Sequence, residues 1–248
     1  MIKVEDLHKS FDGVEVIKGI NLSVDKGEII ALIGGSGHGK SVLLKQMAGL
    51  LKPDRGHILI DGLEIGRIKG RALSHLRSRM GFLFQGGALF DSMTVLDNVA
   101  FPLREKTRLK EAEIKEKVFH VLEMVGLSEA EGKFPSQLSG GMIKRAALAR
   151  ELVWNPEIMF FDEPTTGLDP IIGHSILKLI DNLHRTYGFT GIIVTHEIPR
   201  VFDIVDRVAM LYEGVILISG PPEEVRNSED PIVRQFVRGE TEGPVTYG

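Results

Sequence analysis

The sequence predicts an α/β fold, and three stretches carry the prediction. EIIALIG (residues 28–34) and EIMFFDE (157–163) are short apolar runs without alternation, the pattern of strands covered on both faces in a parallel sheet. Between the first run and an amphipathic stretch lies GGSGHGKS (34–41), a turn of small and polar residues that joins strand to helix.

The elements follow in chain order. Ile2 and Val4, then Val14 and Val16, alternate around Asp12-Gly13, which predicts an antiparallel hairpin. After the 28–34 strand, Leu43, Leu44, Met47, Ala48 and Leu51 recur at helical spacing. HILIDG (57–62) and MGFLFQ (80–85) read as further strands. Helices are expected over 112–127, with Val118, Phe119, Val121, Leu122 and Val125 as its apolar positions, and over 142–153. Strands return at 157–163, 190–197 and 207–220, the last folding back at Glu213-Gly214, and helices alternate with the first two. After Pro231, Ile232, Val233, Phe236 and Val237 can share one face of a short helix, followed by a Gly/Pro-containing arm or a frayed end.

Composition narrows the function. The 248 residues carry a formal charge of −4 with 43% hydrophobic and 26% charged residues, so no basic field favours nucleic acid. The chain has no cysteine, which removes disulfides, thiolate metal sites and thiol nucleophiles. The first residues, MIKVEDLHKSFDG, lack the apolar core of a signal peptide, and no apolar run approaches the roughly 20 residues of a membrane span. A cytosolic chain that meets membranes through a partner is expected.

Gly34, Gly39, Lys40 and Ser41 satisfy GxxxxGK[ST] in the strand-loop-helix context that this phosphate-binding pattern requires. Glycines let main-chain N–H groups of Gly34, Gly35, Ser36, Gly37, His38, Gly39 and Val42 converge on phosphate oxygens at a helix N-terminus. Lys40 reaches the outer phosphates and the Ser41 hydroxyl can ligate Mg²⁺. The side chain of His38, unusual at its place, is expected to point out of the cradle. Asp162 and Glu163 end a buried strand, where open α/β sheets bind ligands. Asp162 suits Mg²⁺ and Glu163 suits the attacking water. Ser139, Gly140 and Gly141, in LSGGM, open a helix and form a second anion site without a lysine of their own.

The order of phosphate loop, Gln85, LSGG, apolar-DE and His196 resembles the ATP-binding cassette (ABC) ATPases, over residues 2–225. The resemblance implies a P-loop NTPase (RecA-like) core with an antiparallel β subdomain (1–85 with 157–225), an inserted α-helical subdomain (86–156) and a C-terminal tail (226–248). It implies ATP and Mg²⁺ as cofactors, and a head-to-tail dimer with each ATP between one phosphate loop and the partner's LSGG. Gln85 is then placed near Mg²⁺ and the attacking water, His196 on the γ-phosphate, and Asp169 on the loop that crosses the dimer interface. Phe11 is either the aromatic residue that stacks on adenine or a hairpin core residue. A separate membrane permease is expected to dock near residues 85–103. The stretch 84–105, Met142 in place of the usual glutamine, and the tail from 230 to 245 resemble the Mla-type, phospholipid-trafficking branch of Gram-negative envelopes. That branch implies a position at the cytoplasmic face of the inner membrane, a mammalian-cell-entry (Mce) type protein and a small regulatory subunit, and a tail that reaches the partner cassette. An importer cassette for amino acids or another small solute would share every catalytic motif.

Overall fold

The computed structural model describes residues 1–245; residues 246–248, the end of the predicted tail, lie outside the described residues. The chain divides into two compact units, 1–74 with 190–248, and 75–189. No helix among the described residues is long and apolar enough to cross a membrane.

In the first unit, β1 (Ile2–Phe11) and β2 (Val14–Val24) form the expected hairpin. Its turn residues, Asp12 and Gly13, both have positive φ (49° and 82°), the geometry that matches the right-handed twist of the flanking strands. β4 (Arg55–Ile60) pairs with the other edge of β1, and β5 (Leu63–Glu64) pairs with β4, giving a four-stranded antiparallel sheet. The same unit holds β3 (Ile29–Ile33), paired in parallel with β8 (Thr190–Val194) on one side and β9 (Arg207–Tyr212) on the other. All five residues of β3 and all five of β8 are buried, which is why neither run alternates. β10 (Val215–Gly220) returns antiparallel on β9 through Glu213 and Gly214, again with positive φ at both positions. α1 (Lys40–Met47) follows β3 and buries Leu43, Leu44 and Met47. The carboxyl end adds α7 (Pro222–Arg226) and α8 (Pro231–Arg238), the latter capped by Asp230. α2 (Gly70–Arg77), which the periodicity did not reveal, spans the boundary between the units.

In the second unit, β6 (Met80–Leu83) and β7 (Ile158–Asp162) form a parallel pair in the register Met80 with Ile158 to Leu83 with Phe161. Four helices accompany it: α3 (Val95–Lys106), α4 (Glu111–Met124), α5 (Gly140–Leu152) and α6 (Pro170–Tyr187). The apolar spacing does not mark α3, which falls within the helical subdomain (86–156) that the resemblance implies. Thr94 caps it, and the buried Asn98 fixes the loop before it by accepting from the Phe90 N–H and donating to the carbonyls of Phe90, Met93 and Thr94. On α4 the buried face is Ile114, Val118, Val121 and Leu122; Phe119 falls one position off it and is exposed, contrary to its place in the predicted apolar set.

The tail is anchored at its last described residue. The Gln235 side chain donates to the Val245 carbonyl at 2.9 Å and accepts the Val245 N–H at 2.8 Å, and both residues are buried. Val245 is thereby anchored, while residues 239–244 are exposed.

Candidate nucleotide site

The phosphate loop sits where β3 ends and α1 begins. Gly34 has φ 145° and lies so close to β9 that a Cβ would come within 2.1 Å of the Leu211 carbonyl oxygen. Gly39, at φ 98°, caps α1, and a Cβ there would meet Ile17 at 2.8 Å. Any side chain at either position would displace the loop, so these two glycines shape the cradle. Ser36 and Gly37 are exposed at its apex, while Gly34, Gly35 and Gly39 are buried; Ser41 and Val42, half-buried, occupy the first turn of α1. Lys40 is buried, and its ammonium donates to the carbonyls of Gly34 and Gly35 at 2.8 Å each. These two carbonyls satisfy part of the buried ammonium within the loop.

His196 follows β8 and is exposed, in a turn where its carbonyl accepts the Ile198 N–H at 2.9 Å and the buried Thr195 hydroxyl accepts the Glu197 N–H. Residues 196–200 and 235–241 line a cleft of about 870 Å³. Phe11, at the end of β1, is 42% exposed with the Lys9 ammonium 5.2 Å from its ring centroid. The side chain is thus largely outside the hairpin core.

In the second unit, Asp162 is the buried last residue of β7. Glu163 turns the chain out of the strand with φ 51°, a left-handed conformation that costs a non-glycine residue roughly 1–3 kcal/mol. Its carboxylate accepts from the Thr166 hydroxyl at 3.1 Å. Gln85 is exposed just beyond β6. Sequence reasoning missed Lys144: buried on α5, it donates to the main-chain carbonyl of Gln85 and lies 3.5 Å from that of Glu163. Burial pushes its ammonium below the ordinary lysine value, and the charges of Glu163 and Asp162 oppose that shift.

Ser139 caps α5, its hydroxyl accepting the Met142 N–H at 3.3 Å, so Ser139 and Gly140 stand exposed at a helix N-terminus. Asp169 caps α6 and accepts the N–H groups of Ile171 and Ile172 at 3.0 Å. The two caps adjoin: a Cβ on Gly140 would reach Leu168 at 3.0 Å, and one on Gly141 would reach Ile172 at 2.7 Å. Residues 139–142, 167–169, Arg145 and Ile172 line a cleft of about 380 Å³.

The first unit therefore carries Phe11, residues 34–42 and His196, and the second carries Gln85, residues 139–141, Asp162, Glu163 and Asp169. Each unit by itself carries chemistry of the kind a phosphate and its metal need: the cradle admits only glycine at its ends, Ser41 in the first unit carries an oxygen donor, and Gln85 and Asp162 in the second carry oxygen donors of the type that Mg²⁺ takes. The model of the ABC transporter family matches residues 17–166.

The chain belongs to the ABC transporter family.

The cassette is 44% identical over 98% of its length to the "Probable ribonucleotide transport ATP-binding protein mkl" of Mycobacterium leprae, spanning 70% of that protein. It is 43% identical over its whole length to the "Intermembrane phospholipid transport system ATP-binding protein MlaF" of Haemophilus influenzae, spanning 94% of that protein. Among solved structures, a dimeric ATP-binding cassette in a post-hydrolysis state with ADP and Pi superposes with TM-score 0.82 at 32% identity, covering 90% of this chain and 99% of that one. A Clostridium perfringens cassette of the cbiONQ transporter complex superposes with TM-score 0.83 at 36% identity, covering 96% and 94%. The cassette is an ATPase of P-loop fold whose cofactors are ATP and Mg²⁺.

Proposed function

We propose that two copies of the cassette close head to tail on two ATP molecules and drive an MlaE-like permease that moves phospholipid across a Gram-negative envelope. The carrying observation is the 43% identity to MlaF over the whole of this chain and 94% of that protein, a relative whose printed name is that of a phospholipid transport ATP-binding protein.

The residues divide the work. Lys40 exchanges the Gly34 and Gly35 carbonyls for the outer phosphates, while main-chain N–H groups of residues 34–42 bind the remaining oxygens. Phe11, an exposed aromatic ring, stacks on adenine. Ser41, Gln85 and Asp162 would be the residues to hold Mg²⁺, which when bound would supply charge neutralisation at the phosphates. Glu163 polarises the attacking water and His196 meets the γ-phosphate. Ser139, Gly140 and Gly141 of one copy bind the ATP held by the other, and Asp169 stands at the crossing. Ile171, 81% exposed beside Asp169, is apolar surface that a second copy would cover.

The permease docks near residues 85–103, where Phe84, Phe90, Phe101, Pro102 and Trp154 line a groove of about 340 Å³. The coupled assembly sits at the cytoplasmic face of the inner membrane, with an Mce-type protein and a small regulatory subunit. Residues 1–85 with 157–225 serve as the ATP-binding core, 86–156 as the signature-bearing lobe and 226–248 as the tail.

The test is purification of the tagged chain from native membranes in mild detergent, with mass spectrometry of co-purifying proteins and lipids. A permease with an Mce-type protein and phospholipid is expected. A permease with a soluble solute-binding protein, or with bound ribonucleotide cargo, would overturn the lipid assignment.

A further inference from the structure

One side chain of the phosphate loop is unused by this chemistry. His38 lies between Gly37 and Gly39, both with positive φ, yet its imidazole is held on three sides. Nδ1 accepts the Glu213 N–H at 3.0 Å. The ring meets Tyr212 at 4.9 Å between centroids with 46° between planes. It also folds back over Gly35, where a Cβ would come within 2.9 Å of Nε2. The Glu213-Gly214 turn is itself fastened, since the Gly214 carbonyl accepts the Lys18 N–H of β2 at 2.9 Å. His38 thus ties the exposed apex of the loop, Ser36 and Gly37, to an anchored hairpin.

We propose that His38 is a positioning residue: as a neutral imidazole it clasps the phosphate loop to the β9–β10 turn in the shape that receives phosphate, and acid opens the clasp. The inference rests on the phosphate-binding reading of residues 34–42.

Nδ1 can accept the Glu213 N–H only while it carries no proton, so the neutral ring keeps its proton on Nε2. Protonation turns the acceptor into a donor that faces another donor. The groups around the ring are Lys40 from α1, Tyr212 and Glu213 from the hairpin, and Lys18 on β2 behind Gly214. Burial and the Lys40 charge hold the imidazole below its ordinary value of 6.5, and Glu213 opposes them. The clasp is therefore closed at neutral pH and opens as the pH falls through a value below the ordinary histidine range. The folded chain binds fewer protons here than the unfolded chain, so stability declines over the same acid window.

The test uses the full chain with Mg-ADP, which lacks the γ-phosphate assigned to His196. Isothermal titration from about pH 7.5 to about pH 5 is run on the wild type and on His38→Asn, which removes the titrating group. Wild-type affinity should weaken over the acid range by roughly fivefold more than that of His38→Asn, the scale of one lost hydrogen bond. In parallel, the Glu213 amide resonance of the nucleotide-free wild type should titrate with a midpoint below the ordinary histidine value. Tyr212→Leu, which removes the aromatic ring tilted against the imidazole, should weaken Mg-ADP binding at neutral pH. Equal acid slopes in wild type and His38→Asn, or a Glu213 amide that ignores pH, would overturn the clasp. Failure of the wild type to bind Mg-ADP at neutral pH would overturn the phosphate reading beneath it.

Discussion

Lys144 donates to the main-chain carbonyl of Gln85, so the helix that begins at the LSGG loop is fastened to the residue assigned to Mg²⁺ and the attacking water. The same ammonium lies 3.5 Å from the Glu163 carbonyl. A buried cation between two carbonyls holds both main-chain segments without touching nucleotide through either contact. Lys144→Met keeps the stem and removes the donor. Turnover should fall roughly tenfold or more, the scale of a lost charged hydrogen bond, while KM for ATP changes little. Lys144→Arg should restore most of the rate. Phosphate-release kinetics separate the two constants, and a KM effect without a kcat effect would reject this positioning role.

Glu163→Gln isolates the water-activating step. The amide oxygen of glutamine can still accept the Thr166 hydroxyl, so the strained turn at φ 51° keeps its side-chain partner. ATP binding should persist while turnover falls by about 10²–10⁴-fold, the usual contribution of a general base. The variant should accumulate as a closed dimer with ATP, read by gel filtration or light scattering. Hydrolysis near the wild-type rate would remove Glu163 from the base role.

Much of this site is legible in the sequence because main-chain geometry demands particular residues. Gly34 and Gly39 stand where a Cβ would strike Leu211 and Ile17, and the positive-φ turns at Asp12-Gly13 and Glu213-Gly214 each carry the glycine that marks a turn. β3, β7 and β8 are legible as unbroken apolar runs because both faces are covered. Side chains that pair with main-chain groups leave no such trace. Lys144 meets carbonyls of Gln85 and Glu163, and His38 meets an N–H at Glu213, so neither partner is written in a residue type. α3 escaped detection because Pro102 interrupts its pattern and its polar Asn98 is buried as a loop anchor. Phe119 shows the converse: an apolar residue near the right spacing can still sit off the buried face.

Gln46 carries a stability prediction. It is fully buried on α1, and neither its side-chain oxygen nor its nitrogen has a hydrogen-bond partner among the described residues. A buried amide left in that state costs about 1–3 kcal/mol. Gln46→Met has similar volume and no polar group to satisfy, so it should stabilise the chain by about 1 kcal/mol and raise Tm by about 2–4 °C. Thermal unfolding by calorimetry measures it. A lowered Tm would mean that the amide is satisfied in solution.

The tail gives the last prediction. Gln235 closes residues 236–244 into a loop by bonding both main-chain groups of Val245, in the manner of a neighbouring strand. Its amide also lies where a Cβ on Gly243 would collide, at 2.4 Å, so the loop is shaped around this one side chain. Gln235→Ala would leave the buried N–H and carbonyl of Val245 without their partner, a loss of about 1–3 kcal/mol that falls on the loop rather than on the sheets. Amide exchange at residues 239–245 should accelerate by roughly tenfold, with β3 and β8 unchanged. Cleavage by a protease of broad specificity should move to the same segment. Unchanged exchange there would show that the burial of Val245, not the Gln235 amide, holds the tail in place.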